Sequence, residues 1–259
     1  MLDRMYPELG FSNICRFDQR VFFFSLIRSL INKDSRVLDF GAGRDKWSEI
    51  ETGFKRTVTR LKGDCAELVA CDVDPVVLEN PSADLKYIIE PGKPLPFEDS
   101  SFDLVYSWAV LEHVENPRPL FEEFYRVIKP GGWLCAWTPN RFGYFAIGSQ
   151  LIPDFLHSRV LKRLGQVGEV NARKESDVFP TFYRANTHRK IRKLAENRFN
   201  DHSFYTFGPP AYHANSRILA RLIDCYNKSV PGFLKPYMMI FLQKPPESGR
   251  SFSKPLRQL

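Results

Sequence analysis

Residues 37–47 read VLDFGAGRDKW, and this stretch indicates the fold of the chain. Apolar residues and an acid run directly into a loop with glycines at positions 41 and 43, which is typical of a buried parallel strand followed by a ligand-binding turn. Gly41 and Gly43 lack a Cβ, so the backbone can take a positive φ and a ligand can lie against the main chain. The N–H groups that open the next helix would point at that ligand. An ordinary tight turn gives the same pattern, so the segments that follow are needed to distinguish a ligand-binding loop from a turn without a ligand.

The composition is that of a globular protein with an excess of basic residues. The 259 residues are 43% hydrophobic and 26% charged, and 37 Lys and Arg against 30 Asp and Glu give a net charge of +7. This length can bury a sizeable core. The charge is compatible with nucleic acid, anionic lipid or acidic substrates and does not choose among them.

The cysteine pattern and the apolar runs indicate the compartment. Five cysteines are scattered without a CxxC pair, which predicts neither a disulfide framework nor a metal site and favours a reducing cytoplasm. Residues 1–10 carry acids and a proline where a signal peptide needs a basic and then an apolar segment. The longest apolar runs, which include residues 21–24 and 237–242, are far shorter than the roughly 20 residues that span a bilayer. We expect a soluble, cytoplasmic protein without a membrane span.

Strand and helix patterns alternate between residues 36 and 138. Strands are predicted at 36–40, 67–72, 85–89, 102–107 and 133–138. Helical patterns cover 17–31, part of 47–62 up to Gly63, and 117–128 up to the KPGG of residues 129–132. We expect the helix at 17–31 to pack on the sheet edge or to cover the glycine loop. The alternation predicts a doubly wound α/β fold with a mostly parallel sheet covered on both faces.

The remainder of the chain has a different pattern. Residues from about 140 to 185 lose the alternation and are too apolar for a linker, so we expect a helical cap insertion over the carboxyl ends of the strands. Further elements are predicted at 186–198 and 215–226 as helices and at 203–207 and 237–243 as strands. The predicted organisation is a helical cover (1–35), one α/β domain (36–243) and a disordered tail (244–259).

The second predicted strand ends in an acid, Asp72. In a doubly wound sheet, a carboxylate at this position lies beside the glycine loop and can accept hydrogen bonds from the ribose hydroxyls of a nucleoside. The alternative role is a helix cap, which Asp74 would fill better because it directly precedes Pro75. Asp72 is therefore the best candidate for a cofactor contact after the glycines.

Four blocks of sequence share their order and spacing with a known family. They are VLDFGAG at 37–43, ACDVDP at 70–75, LPFEDSSFDLVYSWAVLEHV at 95–114 and RVIKPGG at 126–132. Together they resemble the class I S-adenosylmethionine-dependent methyltransferases, in particular the small-molecule methyltransferases, over residues 36–140. The resemblance implies a Rossmann-like sheet of seven strands, the last of them antiparallel, and S-adenosyl-L-methionine as cofactor.

The resemblance also implies roles for individual residues. Asp39 would orient the loop and face the methionine end of the cofactor, and the glycine loop would line that moiety. Ser107 and Trp108 would lie near the sulfonium and the methyl acceptor. The implied cofactor-binding set is Asp39, Gly41, Ala42, Gly43, Asp72, Val73, Glu90, Ser107 and Trp108.

The chain departs from the family pattern at two places. Large residues, 44–46, follow the glycines where relatives usually have another glycine, and they could crowd the loop or reach the cofactor carboxylate. Glu90 stands where relatives commonly hold the adenine amino group with an Asp, and Pro91 after it has no N–H to offer the ring. The missing third glycine disfavours a dinucleotide cofactor. A non-catalytic binding or scaffold protein with this fold is the alternative that these departures leave open.

Methyl transfer from a sulfonium is an in-line displacement, so the protein has to align the reacting atoms and exclude water. A hydroxyl acceptor would benefit from a general base. The family likeness places His113 near the acceptor as the candidate catalytic residue, and a histidine that only supports the loop is equally compatible. His157 and His188 are weaker candidates.

Two further segments bear on the acceptor. Within residues 177–188, Tyr183 and Arg184 could bind an acidic or sugar-like acceptor, or the segment could merely fold the cap. The basic run at 188–193 (HRKIRK) is the one hint of nucleic acid, although a solvated helix face is the commoner reason for such a run. We therefore expect methyl transfer to an oxygen of a small molecule or glycan-type metabolite, with no metal. An RNA methyltransferase is the less favoured reading.

Overall fold

The computed structural model describes residues 2–151, 180–196, 198–211, 213 and 215–247. Within these residues, eight strands form one sheet: β1 (Arg36–Phe40), β2 (Glu67–Asp72), β3 (Leu85–Ile88), β4 (Phe102–Trp108), β5 (Ile128–Pro139), β6 (Asn200–Asp201), β7 (Phe204–Thr206) and β8 (Tyr237–Gln243). The order is β3-β2-β1-β4-β5-β8-β6, and β7 also pairs with β8.

The first five strands are parallel to one another, and β8 runs antiparallel to β5. The predicted doubly wound, mostly parallel sheet with an antiparallel last strand is thereby confirmed. The two short strands β6 and β7 both pair with β8 and are separated only by residues 202–203. They act as one interrupted edge strand, so the sheet has the seven strand positions that the resemblance implied.

Eight α-helices lie within the described residues: α1 (Leu9–Ser12), α2 (Gln19–Arg28), α3 (Lys46–Ile50), α4 (Gly53–Thr59), α5 (Pro117–Val127), α6 (Tyr144–Leu151), α7 (His188–Ala195) and α8 (Arg217–Ser229). Polar side chains begin three of them. The Asp18 carboxylate accepts the N–H groups of Arg20 and Val21 at the start of α2, and Thr187 and Ser216 cap α7 and α8. Each cap satisfies a backbone donor that the helix leaves unpaired.

Two apolar layers cover the two faces of the sheet. Residues on one side of the strands, such as Val37 and Leu104, pack against α2 and α4, and their neighbours in sequence, Leu38 and Val105, pack on the other side with α5 and α7. This alternation follows from the two-residue period of a strand. The predicted helix at 17–31 therefore covers a face of the sheet and not its edge.

Strand β5 and helix α4 differ from their predicted bounds. Strand β5 begins at Ile128, so the KPGG of residues 129–132 ends α5 but lies within the strand. The pairing with β4 shifts there, from Phe102 opposite Ile128 to Leu104 opposite Trp133, which is the irregularity that an inserted bulge produces. Gly63 has a φ of +87° but does not end α4, because the extended Arg60 already does so.

Parts of the predicted cap and tail can be placed. Helix α6 and residues 180–185 are described, whereas 152–179 and 248–259, and with them His157, lie outside the described residues. Lys244, the first residue of the predicted tail, is buried, and its ammonium donates to the carbonyl oxygens of Tyr125 and Ile128, both at 2.7 Å. Within the described part of the chain, no helix is long and apolar enough to cross a membrane.

Candidate functional site

A cavity of about 2220 Å³ opens over the carboxyl ends of the parallel strands. Its lining includes the last residues of β1, β2 and β4, namely Phe40, Asp72 and Trp108, together with Tyr237 from the start of β8. A pocket for one small ligand is typically about 300–1,000 Å³. The cavity therefore has room for a nucleoside cofactor and a second molecule beside it.

The glycine loop is anchored to the end of β2. The N–H groups of Gly41 and Ala42 donate to the Cys71 carbonyl oxygen at 2.8 and 3.2 Å, and the Gly43 N–H donates to Asp72 Oδ2 at 2.8 Å. Gly41 has a φ of +77°, and a methyl group on its Cα would lie 2.3 Å from Cγ2 of Val110. Because that contact is far inside van der Waals distance, the loop needs glycine at this position.

Asp72 is fixed by two backbone donors. Its Oδ2 accepts the Gly43 N–H, and its Oδ1 accepts the Asp74 N–H at 3.0 Å. Burial raises the pKa of this carboxyl, and the backbone hydrogen bonds oppose that rise. Asp74, as expected from its place before Pro75, caps the next turn by accepting the Val76 N–H at 2.9 Å. The Asp72 carboxylate therefore remains on the cavity wall beside the loop.

Asp39 lies at the base of the cavity between β2 and β4. Burial raises its pKa to about 7, while a hydrogen bond from the Tyr106 hydroxyl works in the opposite direction. Burial and the neighbouring Asp39 raise the pKa of Tyr106 well above its ordinary value, so the hydroxyl stays protonated and donates a hydrogen bond to the carboxylate. At neutral pH, Asp39 is poised to gain its charge when a cation binds beside it.

Arg20, which the sequence argument did not identify, is a buried cation on the cavity wall. Only 8% of the residue is exposed, its guanidinium lies 4.4 Å from the Trp47 ring centroid and 5.1 Å from that of Trp108, and its Nε donates to Glu51 at 3.0 Å. Cation–π contacts and a buried carboxylate hold the group in place. The only sequence signal was a cation directly before the apolar run of the helix at 17–31.

Three neighbouring aromatic side chains, Trp108, Trp137 and Tyr237, line another part of the cavity, and we call them the aromatic wall. The centroids of Trp108 and Trp137 are 4.4 Å apart with the rings 12° from parallel, and Trp137 and Tyr237 are 4.8 Å apart. The residues end β4 and β5 and begin β8, so sheet pairing brings them together. Trp108 was predicted at the site; Trp137 and Tyr237 were not.

Ser107 does not reach the cavity with Trp108. It is 1% exposed, is not among the lining residues, and its Oγ has no hydrogen-bond partner within the described part of the chain. Adjacent strand residues point to opposite faces, and of these two residues only Trp108 is in the lining. The predicted contact of Ser107 with the cofactor stays a prediction that this lining does not support.

Val73 and Glu90 lie on the cavity wall near Asp72. Val73 is exposed there, and the exposed Glu90 forms an ion pair with Lys93 at 2.5 Å. The large residues after the glycines also line the cavity and do not fill it: Arg44 pairs with Glu49 at 3.3 Å, and Asp45 accepts the Ser82 hydroxyl. These contacts hold the side chains of Arg44 and Asp45 away from the glycine loop, so they do not crowd it.

His113 lines the cavity with its ring oriented by the main chain. Its Nδ1 lies 2.8 Å from the carbonyl oxygen of Pro180. Since a carbonyl can only accept, Nδ1 carries the hydrogen, and Nε2 carries the lone pair of the neutral ring. This is the tautomer that a base acting through Nε2 requires.

Of the remaining residues that the sequence suggested for the acceptor or for nucleic acid, some line the cavity and others do not. Tyr183 is buried and lines the cavity, whereas Arg184 is exposed and lies outside the lining, so the predicted pair does not act together. His188 pairs with Asp201 at 2.8 Å and is not on the cavity. The cations Arg189, Arg192 and Lys193 are exposed on α7 and are not part of the cavity lining either.

Comparison with known proteins points to one family. Residues 49–136 match the family model of a methyltransferase domain. The chain is 28% identical to a probable S-adenosylmethionine-dependent methyltransferase of Mycolicibacterium smegmatis over 61% of this chain and 58% of that protein. It is also 28% identical to the ubiquinone/menaquinone biosynthesis C-methyltransferase UbiE of Haemophilus ducreyi, over 56% of each. The chain thus spans less than two thirds of these curated relatives.

A solved structure shares the fold. A chain in the complex between the Haloferax volcanii Trm112 methyltransferase activator and a methyltransferase superimposes with a TM-score of 0.55 at 15% identity, over 88% of this chain and 91% of that one. At this identity the likeness concerns the architecture alone.

Proposed function

We propose that this chain, which carries a methyltransferase domain of the class I, Rossmann-like type, transfers a methyl group from S-adenosyl-L-methionine to an apolar small molecule. The observation that carries the proposal is the joint placement of Asp72, the glycine loop and Asp39 at the carboxyl end of the sheet, in a cavity with room for two molecules. Ligands of doubly wound sheets bind at this edge.

The cofactor half of the cavity offers a group for each part of S-adenosylmethionine. Asp72, held by two backbone N–H groups, would accept the ribose hydroxyls, and the exposed apolar Val73 would lie against the adenine. Asp39 would meet the cationic end of the methionine. Glu90 is exposed and paired with Lys93, so we assign it no more than a contact with the rim of the adenine site.

Arg20 is our candidate for the cofactor carboxylate. Among the described residues only its Nε is engaged, by Glu51, so the terminal nitrogens can donate to a second carboxylate. The guanidinium lies against Trp47 and Trp108 and is therefore already oriented before a ligand binds. A preorganised arginine binds a carboxylate without the entropy loss that a free side chain would suffer.

The acceptor half supports an apolar substrate. The aromatic wall, Phe182 and Ile223 line it, together with the polar groups of Glu112, His113, Tyr144, Tyr183 and His213. Stacked rings offer flat apolar surface and few hydrogen bonds. This flat apolar surface favours an aromatic or isoprenoid-like molecule with one reactive group over the glycan-type metabolite suggested by the sequence.

For an acceptor hydroxyl, His113 would be the general base. Its Nδ1–H is held by the Pro180 carbonyl, and Nε2 would take the proton as the oxygen attacks the methyl group. Methyl transfer to carbon, as the name of UbiE states for that protein, would also need a proton to be removed. We favour oxygen because a single oriented imidazole suffices for it.

The test is a screen of apolar and aromatic hydroxy compounds with S-adenosylmethionine, in which formation of S-adenosylhomocysteine is measured. We expect turnover with the wild-type chain and a fall in kcat of about 10²–10⁴ in His113→Asn. The asparagine amide can still donate to Pro180 but cannot take a proton at neutral pH. Cofactor affinity should be unchanged in this variant. Unchanged turnover would contradict the role of His113, and no turnover with any compound would contradict the proposed acceptor class.

The alternatives raised by the sequence find less support. A scaffold protein has no need of an open cavity over a fixed acid and glycine loop, and residues 44–46 leave that loop open. The basic run on α7, which was the sequence hint of RNA, is exposed and is not on the cavity wall, so it gives an RNA methyltransferase no support at this site.

A further inference from the structure

Helix α8 exposes apolar side chains that a helix at a protein surface would ordinarily bury. Ile218 is 75% and Leu222 63% exposed, and Cys225, three residues further on, is exposed as well. The spacing of four and three residues puts these side chains in one stripe along the helix. The stripe facing the protein is instead formed by Ala220 and Asn227.

A basic stripe runs beside the apolar one. Arg217 and Arg221, four residues apart, are both exposed, and among the described residues neither forms an ion pair, whereas Lys228 in the same helix pairs with Asp224 at 2.6 Å. Rotating 100° per residue places the arginines next to Ile218 and Leu222. An exposed apolar stripe flanked by cations is the pattern of a helix that lies in the interface of a membrane.

The same helix borders the cavity. Leu219 and Ile223 line it from α8, and Tyr144 and Gly148 line it from α6. The two helices are in contact through the Tyr144 and Tyr226 rings, 6.1 Å apart. Helix α6 also exposes an apolar side chain, Ile147.

We infer that α8, together with the exposed side of α6, docks the protein onto the surface of an anionic lipid bilayer. The arginines meet the negative headgroups, and Ile218 and Leu222 enter the boundary of the acyl chains. Charge complementarity identifies the occupant, because the chain has a net charge of +7 and the apolar stripe is flanked by two arginines that form no ion pair among the described residues. An apolar molecule dissolved in that bilayer would then reach the cavity past α6 and α8.

The experiment is flotation of the full chain with vesicles of phosphatidylcholine mixed with phosphatidylglycerol, beside vesicles of phosphatidylcholine alone. We expect binding to the anionic vesicles that weakens with added salt. Each basic residue near such a surface contributes about fivefold to the partition coefficient, so Arg217→Gln/Arg221→Gln should lower it about 30-fold. Ile218→Ser/Leu222→Ser should lower it about tenfold or more.

Leu78→Ser is the matched control, because Leu78 is an exposed leucine beside β3, at the other edge of the sheet. It should bind as the wild type does. All the substituted residues are exposed, and thermal melts should show that each variant is folded. Equal binding to neutral and anionic vesicles, or undiminished binding of the Ile218→Ser/Leu222→Ser variant, would overturn the inference. So would a dimer in light scattering that this variant abolishes, since the stripe would then be an interface between copies.

Discussion

Replacing Gly41 by alanine tests the geometry of the loop directly. The new methyl group would lie 2.3 and 2.8 Å from the two γ carbons of Val110 and 3.1 Å from its Cβ. Rotation of the valine cannot relieve all three contacts, because its Cβ does not move with χ1. The backbone of the loop or of residue 110 has to shift.

Two energetic costs determine how much Gly41→Ala should destabilise the fold. A residue other than glycine at a φ of +77° costs roughly 1–2 kcal/mol, and overpacking a fixed site costs about 1–3 kcal/mol more. Gly41→Ala should therefore lower the free energy of unfolding by about 2–5 kcal/mol. Gly43 has a φ of +52° and no atom nearer than Asp72 Oδ2 at 4.0 Å, so Gly43→Ala should show only the backbone term, roughly 1–2 kcal/mol.

Urea unfolding separates the backbone cost from the overpacking cost. It is measured for Gly41→Ala, Gly43→Ala, Val110→Ala and the double variant Gly41→Ala/Val110→Ala. The cycle should give a favourable coupling of about 1–3 kcal/mol between positions 41 and 110, because the smaller side chain makes room for the methyl group. If Gly41→Ala is no more destabilising than Gly43→Ala, or if the cycle shows no coupling, the close approach of the loop to Val110 is refuted.

Two further predictions concern the charges around the cofactor half. Burial raises the pKa of Asp39 from 3.8 to about 7, so the folded state binds its proton more tightly than the unfolded state does. The contribution of Asp39 to stability should fall as pH rises through that interval, so Asp39→Asn should gain at most about 4 kcal/mol over the wild type at pH 8. A difference in urea-unfolding free energy between the two proteins that stays constant across this range would refute it. Arg20→Met should destabilise the fold by about 3 kcal/mol, because Glu51 loses its buried partner. The double variant Arg20→Met/Glu51→Gln should recover most of that loss in thermal melts. No recovery would mean that the packing of Arg20 on the tryptophans is the dominant contribution.

The main-chain architecture was largely readable from local patterns. The bounds of β1, β2 and β8 agree with the predicted ones, because each is an apolar run ended by an abrupt change of residue type. The start of β5 was missed because the shift in its pairing depends on the register of β4, and register is a property of two segments. Local signals carry no information about it.

The site was predictable where one short segment builds it. The glycine loop and Asp72 follow directly from strand ends. Arg20, Trp137 and Tyr237 reach the cavity from separate elements, so only the folded chain shows them together. Ser107 and Arg184 are each adjacent in sequence to a lining residue but are not in the lining themselves, and nothing in the local sequence distinguishes them from their neighbours.

Titration calorimetry of the full chain with S-adenosylmethionine and with S-adenosylhomocysteine tests the central claim. Both should bind, and Asp72→Ala should weaken binding at least about tenfold, since a charged hydrogen-bond acceptor is lost. Asp34→Ala, which removes an exposed acid from the turn before β1, should bind as the wild type does. Absence of binding to either compound, or full affinity in a folded Asp72→Ala variant, would contradict the account of the cavity as a methyltransferase cofactor site.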